Sequence, residues 1–283
     1  MTDDHQAGDT PASPADPGRS PAELIDDAVA LAEAEDPLEA ELAGALFVAL
    51  ARSAGDDAAS FAGTLIPAVE ARGTRTARTL LTAIGAVTGH EPNPVAASAR
   101  AAAERLAGAG VAAPAWAGDL AQPLTTGPFT RMYDTGNAMS VLIGTFERAG
   151  RGHSLVVVVD HENGGAADEI YLVDEEELPT LVAGIHRTAR RNGVGIRTRK
   201  LGAPEFRWYV EQALEARARH GVEDGVPGKL DPAGEDGPGY AALTVLTRSR
   251  LAALPPARRP RGRGHGDRIP RGGRGAPGSP AIE

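Results

Sequence analysis

The sequence predicts an α+β protein: a helical N-terminal region, then an antiparallel β-meander sheet flanked by helices, with disordered termini. Three observations carry this reading. Helix-start signals recur up to residue 110, the apolar pattern turns extended after Pro114, Pro123 and Pro128, and it becomes helical again at Leu178. The expected divisions are a disordered acidic N-terminus (1–19), a helical bundle or hairpin array (20–110), an α+β domain (111–256) and a disordered Arg/Gly/Pro-rich tail (257–283).

Residues 1–19 hold too little apolar surface to offset the entropy of ordering. Ser20-Pro21-Ala22-Glu23 then has the form of a capping box with Pro at the first helical position, and Leu24, Ile25, Ala28, Leu31 and Ala32 follow at helical spacing. Asp36-Pro37-Leu38-Glu39 repeats the signal, with Leu38, Leu42, Ala45, Leu46, Ala49 and Leu50 on one face. A third helix is expected from near Asp56, burying Phe61, Leu65, Ala68 and Val69. A fourth follows Gly73 with Leu80, Leu81, Ile84 and Val87 inward. A fifth runs from Asn93-Pro94 through Val95, Ala99, Ala102 and Leu106 to a stop at Gly108-Ala109-Gly110. The even spacing of these starts fits stacked hairpins as well as a bundle. No shared side-chain signature accompanies it, which favours the bundle.

The three prolines mark a linker-like segment around Trp116. Phe129 to Asp134 then reads as a strand, Thr135-Gly136-Asn137 as a tight turn and Ala138 to Glu147 as the returning strand. Ala149-Gly150-Arg151-Gly152 turns into a third strand, Ser154 to Asp160, whose run Leu155 to Val159 forms the buried centre of a meander. A fourth strand, Glu169 to Val173, follows a polar loop. Asp174 is expected to cap a helix with Leu178, Leu181, Val182, Ile185 and Ala189 inward. Its acidic start (Glu175 to Glu177) and basic end (Arg187, Arg190, Arg191) suit the helix dipole. Gly195 to Leu201 reads as a basic edge strand. Pro204 to His220 is the next helix, with Phe206, Tyr209, Val210, Ala213 and Leu214 as its buried stripe; Trp208 lies off that stripe. A Gly/Pro/Asp loop over 221–239 leads to a last helix, Tyr240 to Leu254.

Composition narrows the chemistry. The chain has no cysteine, so thiolate zinc sites, iron–sulfur clusters and cysteine nucleophiles are excluded. The N-terminus lacks the apolar stretch of a secretory signal, and no apolar run is long enough to cross a bilayer, so a soluble cytoplasmic protein without a membrane partner is expected. The net charge of −9 is uneven: residues 248–283 carry +7 and the remainder −16. An acidic body repels phosphate backbones, which leaves nucleic-acid binding to the tail 257–283. That tail resembles the Arg-Gly segments of RNA-binding proteins but has no interleaved aromatic residues. It also reads as a solvated extension of biased composition, or as a segment that folds back on the acidic body.

The best site candidate lies where the central strand runs into the polar loop. An antiparallel pairing with a turn centred near Gly150 puts Ser140 opposite Asp160, and the preceding turn puts Asp134 beside Ala138. Asp134, Asp160, His161 and Asp168 then gather at one end of the sheet. His153 falls at the other end, because eight residues of strand span about 27 Å. Imidazole with carboxylate oxygens suits zinc, manganese or iron, and Asp160 and His161 are candidates for acid/base work. The same residues also read as ordinary strand-end and turn chemistry. No HExxH, HxH, GxSxG, Walker or GxGxxG pattern is present.

The strand from His153 to Asp160-His161, the following Gly164-Gly165 and Asp168, and the closing RLAALP of Arg250 to Pro255 resemble a group of uncharacterised proteins of high-GC bacteria. The resemblance covers residues 111–256 and implies no activity and no site residue. The leading expectation is a non-enzymatic interaction or regulatory protein with a protein partner and no cofactor. A metal-dependent hydrolase using the Asp134/Asp160/His161/Asp168 cluster and a divalent metal is the alternative, and RNA association through the tail is a second.

Overall fold

The computed structural model describes residues 34, 36–53, 58–87, 94–223 and 239–260. The protein is α+β and divides into two compact units between Ala115 and Trp116. Of the last helix, Tyr240 to Ala242 go with the first unit and Leu243 onward with the second. The helix expected over Ser20 to Ala32 lies outside the described residues.

The first unit contains α1 (Pro37–Ser53), α2 (Ala58–Glu70), α3 (Arg75–Val87) and α4 (Pro94–Gly108). Asp36 starts α1 by accepting the Leu38 amide at 2.8 Å, as its position before Pro37 predicts. The helix α3 is the centre of the unit, packed against both α1 and α4, with Leu80, Leu81 and Ile84 fully buried. Gly44 permits this approach: a Cβ there would lie 2.6 Å from the Ala83 carbonyl oxygen. The stop of α4 is a Schellman motif, with Gly110 at φ +84° and the Val111 and Gly110 amides donating to Leu106 and Ala107. In α2 the inward residues are Ile66 and Val69, while Ala68, expected inside, is exposed. The helix is turned so that the larger Ile66 takes the covered side.

The second unit is built on one antiparallel sheet of order β4-β3-β2-β1-β5. Its strands are β1 (Thr125–Asp134), β2 (Met139–Arg148), β3 (Arg151–Asp160), β4 (Ala166–Asp174) and β5 (Ile196–Leu201). The helices are α5 (Ala117–Leu120), α6 (Leu178–Arg191), α7 (Ala203–Glu223) and α8 (Tyr240–Ala252). The segment expected as a linker is shorter than the prolines suggested. Trp116 is 1% exposed, and β1 already begins at Thr125 with Pro128 inside it. Pro128 is tolerated because pairing with β2 slips between Thr126 and Phe129, so no ladder bond is asked of its missing N–H.

Strand alternation sorts the side chains onto two faces. Met132, Ile143 and Val156 face α6 and pack against Leu178, Leu181, Val182 and Ile185. Phe129, Leu142, Gly144, Phe146, Leu155 and Val157 share the opposite face, which α7 covers. Phe206 of α7 settles directly on Gly144 and lies 4.7 Å from Phe129, ring centre to ring centre. The last helix docks on this unit through a fully buried side chain, Arg250, whose Nε donates to His153 Nε2 at 3.0 Å.

Two local expectations are corrected. The helix after β4 starts at Leu178 with Glu177 as N-cap, not at Asp174: the three glutamates precede it, and the Asp174 carbonyl instead accepts the Glu177 amide in a turn. The turn between β2 and β3 has only two residues, Ala149 and Gly150, both at positive φ (+53° and +77°). That is the twist a two-residue hairpin demands. It pairs Arg148 with Arg151 and therefore Met139, not Ser140, with Asp160.

A methyl group at Gly144 would lie 2.7 Å from Phe206 Cζ and 3.0 Å from Phe129, both rings being enclosed. Gly144→Ala is therefore expected to destabilise the second unit by about 1–3 kcal/mol in urea unfolding, despite the better strand propensity of alanine.

Candidate functional site at the Asp134–His161 end of the sheet

The one-residue change in register alters the chemistry of the site. Ser140 pairs with Val159, and the ladder continues as the His161 amide donates to Ala138 at 2.8 Å. Ser140 and His161 thus share a face, and Ser140 Oγ lies 2.9 Å from His161 Nε2. Asp160, the expected neighbour of Ser140, points to the opposite face. Both members of the pair are buried, Ser140 to 2% exposure and His161 to 8%. Beside them a partly open pocket of about 60 Å³ is lined by Gly164, Gly165, Tyr209, Gln212 and Arg219. That is space for water rather than for an organic substrate.

The electrostatics keep the imidazole neutral. Burial lowers the His161 pKa most, the Arg131 guanidinium lowers it further, and Asp134 and Asp160 oppose the shift. Arg131 is itself buried on β1, where Nη1 donates to the Tyr209 hydroxyl and Nη2 to Asn137 Oδ1, each at 3.2 Å. The guanidinium carbon lies 5.0 Å from the Tyr133 ring centre and 4.8 Å from that of Tyr209. His161 Nδ1 is buried without a hydrogen-bond partner. A bare ring nitrogen is less costly to bury than an unanswered N–H. We therefore assign the proton to Nε2, donating to Ser140 Oγ. A general base needs the reverse direction, which a carboxylate at Nδ1 enforces in serine hydrolases.

The carboxylates are committed to turns. Asp134 accepts the Ala138 amide through Oδ1 (3.1 Å) and the Met139 amide through Oδ2 (2.7 Å). Asp160 Oδ1 accepts the amides of Glu162 and Asn163 at 2.8 and 3.1 Å, an Asx-type closure of the loop. Asp168 is exposed on β4 in a bulge, skipped where pairing with β3 passes from Val158–Glu169 to Val159–Ala167. So the structure brings Asp134, Asp160 and His161 to one end of the sheet, but turns Asp134 and Asp160 to the face opposite His161 and leaves Asp168 on the rim. Among the described residues no three His, Asp or Glu side chains are disposed to hold a metal ion.

His153 stands at the far end, as strand length requires, its ring stacked on Phe146 at 6.0 Å. The sequence reading missed Arg131 and Tyr209. The available signal was an arginine between Phe129 and Tyr133 on the inward-facing positions of a central strand. At the start of the tail, the Arg258 amide donates to the Pro204 carbonyl and Arg259 lies 6.0 Å from the Trp208 ring centre, which gives that tryptophan a partner within its own chain. Residues 261–283 lie outside the described residues. In comparisons with known proteins no family model matches the chain, and neither does any curated protein or solved structure.

Two outcomes follow from the pair. Ser140→Ala leaves a buried Nε2–H unanswered and is expected to destabilise the second unit by about 1–3 kcal/mol in chemical unfolding. Because the folded-state pKa of His161 lies below its unfolded value, the unfolded chain takes up the proton first as pH falls. This contribution to stability is complete above the unfolded pKa of about 6.5 and is lost on acidification toward the folded pKa. The stability difference between about pH 7.5 and about pH 5.5 should shrink in His161→Phe; an unchanged difference removes His161 from this role.

Proposed function

We propose that the chain is a non-enzymatic interaction protein working through its α+β unit. The observation that supports this is a basic surface, largely uncompensated among the described residues, on an acidic chain. Between Glu177 and Glu205 there is no acidic residue, while α6 and β5 carry Arg187, Arg190, Arg191, Arg197, Arg199 and Lys200. Arg199 is bound to Glu205 at 3.0 Å. The other five are exposed and make no ion pair among the described residues. A surface held unneutralised in this way steers an oppositely charged partner and fixes its orientation. The Ser140–His161 pair adds support from the other side: its buried hydroxyl, its proton on Nε2 and the commitment of Asp134 and Asp160 to turns suit a structural hydrogen bond better than catalysis.

Affinity capture with the full chain and with Arg187→Glu/Arg190→Glu/Arg191→Glu, at low and high salt, tests this reading. Partners retained by the unaltered chain at low salt should be lost by the variant. Ester or phosphoester turnover with added Mn²⁺ or Zn²⁺ that disappears in Ser140→Ala or His161→Ala would overturn it in favour of a hydrolase.

A further inference from the structure

The ladder between β1 and β5 decides which backbone groups of β5 are open. The Thr135 amide donates to the Gly195 carbonyl at 2.9 Å, so those two form a hydrogen-bonded pair. Hydrogen-bonded and open pairs alternate along an antiparallel ladder. By the observed register, Arg197, Arg199 and Leu201 bond to Tyr133, Arg131 and Phe129. The amides and carbonyls of Ile196, Thr198 and Lys200 therefore point away from the sheet. Since β5 is its last strand, this edge has no strand beyond it among the described residues.

We propose that β5 receives an extended acidic segment of a protein partner as an added strand, hydrogen-bonded to Ile196, Thr198 and Lys200, with carboxylates on one of its faces meeting Arg197 and on the other meeting Lys200. This rests on the interaction reading above and names its partner. Free edges invite indiscriminate pairing, and basic side chains along them are a known defence. Here the same charges act selectively. A second β5 edge is repelled, because an antiparallel pairing centred on Thr198 would set Arg197 opposite Arg199 of the copy. An acidic strand instead replaces that repulsion with ion pairs. RNA suits the surface less well: the rest of the chain is strongly acidic, and among the described residues the exposed large apolar side chains offer one aromatic, Tyr171, on the opposite edge strand.

Fluorescence anisotropy with the full chain and a labelled peptide of consecutive glutamates between flanking valines, acidic on both faces, tests the proposal. Thr198→Pro removes one outward amide without touching a ladder bond or a charge, and should weaken binding about tenfold. Arg197→Glu/Lys200→Glu should weaken it at least as much. N-methylating alternate peptide residues probes the same hydrogen bonds without altering the protein, and should reproduce the Thr198→Pro loss. If the charge variant loses binding while Thr198→Pro and the methylated peptide do not, strand addition is overturned and the interaction reading stands. If no variant changes binding, both are overturned. Tighter binding of an oligouridine than of the peptide, or concentration-dependent self-association that Thr198→Pro abolishes, would replace the acidic segment with RNA or with a second copy of the chain.

Discussion

The two-residue hairpin at Ala149 and Gly150 sets the register of β2 against β3, and that register decides which side chains of the second unit meet. Both turn residues must take positive φ for so short a loop to match the twist of the strands. One more residue in the turn would move the partner of every β2 residue by one position and exchange the faces. With the turn as it is, Ser140 reaches His161, Gly144 lies under Phe206, and Phe146 stacks on His153. The α7 face of the sheet is a consequence of that turn.

Charge is used differently inside the unit and on its surface. At the Asp134–His161 end the acidic groups answer backbone amides, and the buried cation, Arg131, is held between two tyrosines. Hydrogen bonds to fixed amides hold a carboxylate in place and take up lone pairs that a metal or substrate would need. The basic residues of α6 and β5, Arg199 apart, are exposed to solvent instead.

The fold was legible because its signals are local. Apolar spacing marked the helices of the first unit, Asp36 and Gly110 marked a start and a stop, and the run Leu155 to Val159 marked the centre of the sheet. Short connections required the meander, and the strand Gly195 to Leu201, dense in basic residues, announced an edge. Local signals failed where the answer depended on a neighbour. Pro128 looked like a break because its bulge opposite β2 cannot be seen in one strand, and Ala68 was placed inward because the turning of α2 is set by what covers it.

The candidate site shows the same boundary. From the sequence alone came the place: Asp134, Asp160 and His161 at one end of the sheet and His153 at the other, because strand length and short turns allow little else. Tertiary structure decided the chemistry. Whether Ser140 meets Asp160 or His161 depends on one residue of register, and whether a carboxylate is free depends on which amides surround it. These are matters of a few ångströms across the sheet, set by paired backbones and packed helices, and one-dimensional spacing does not encode them.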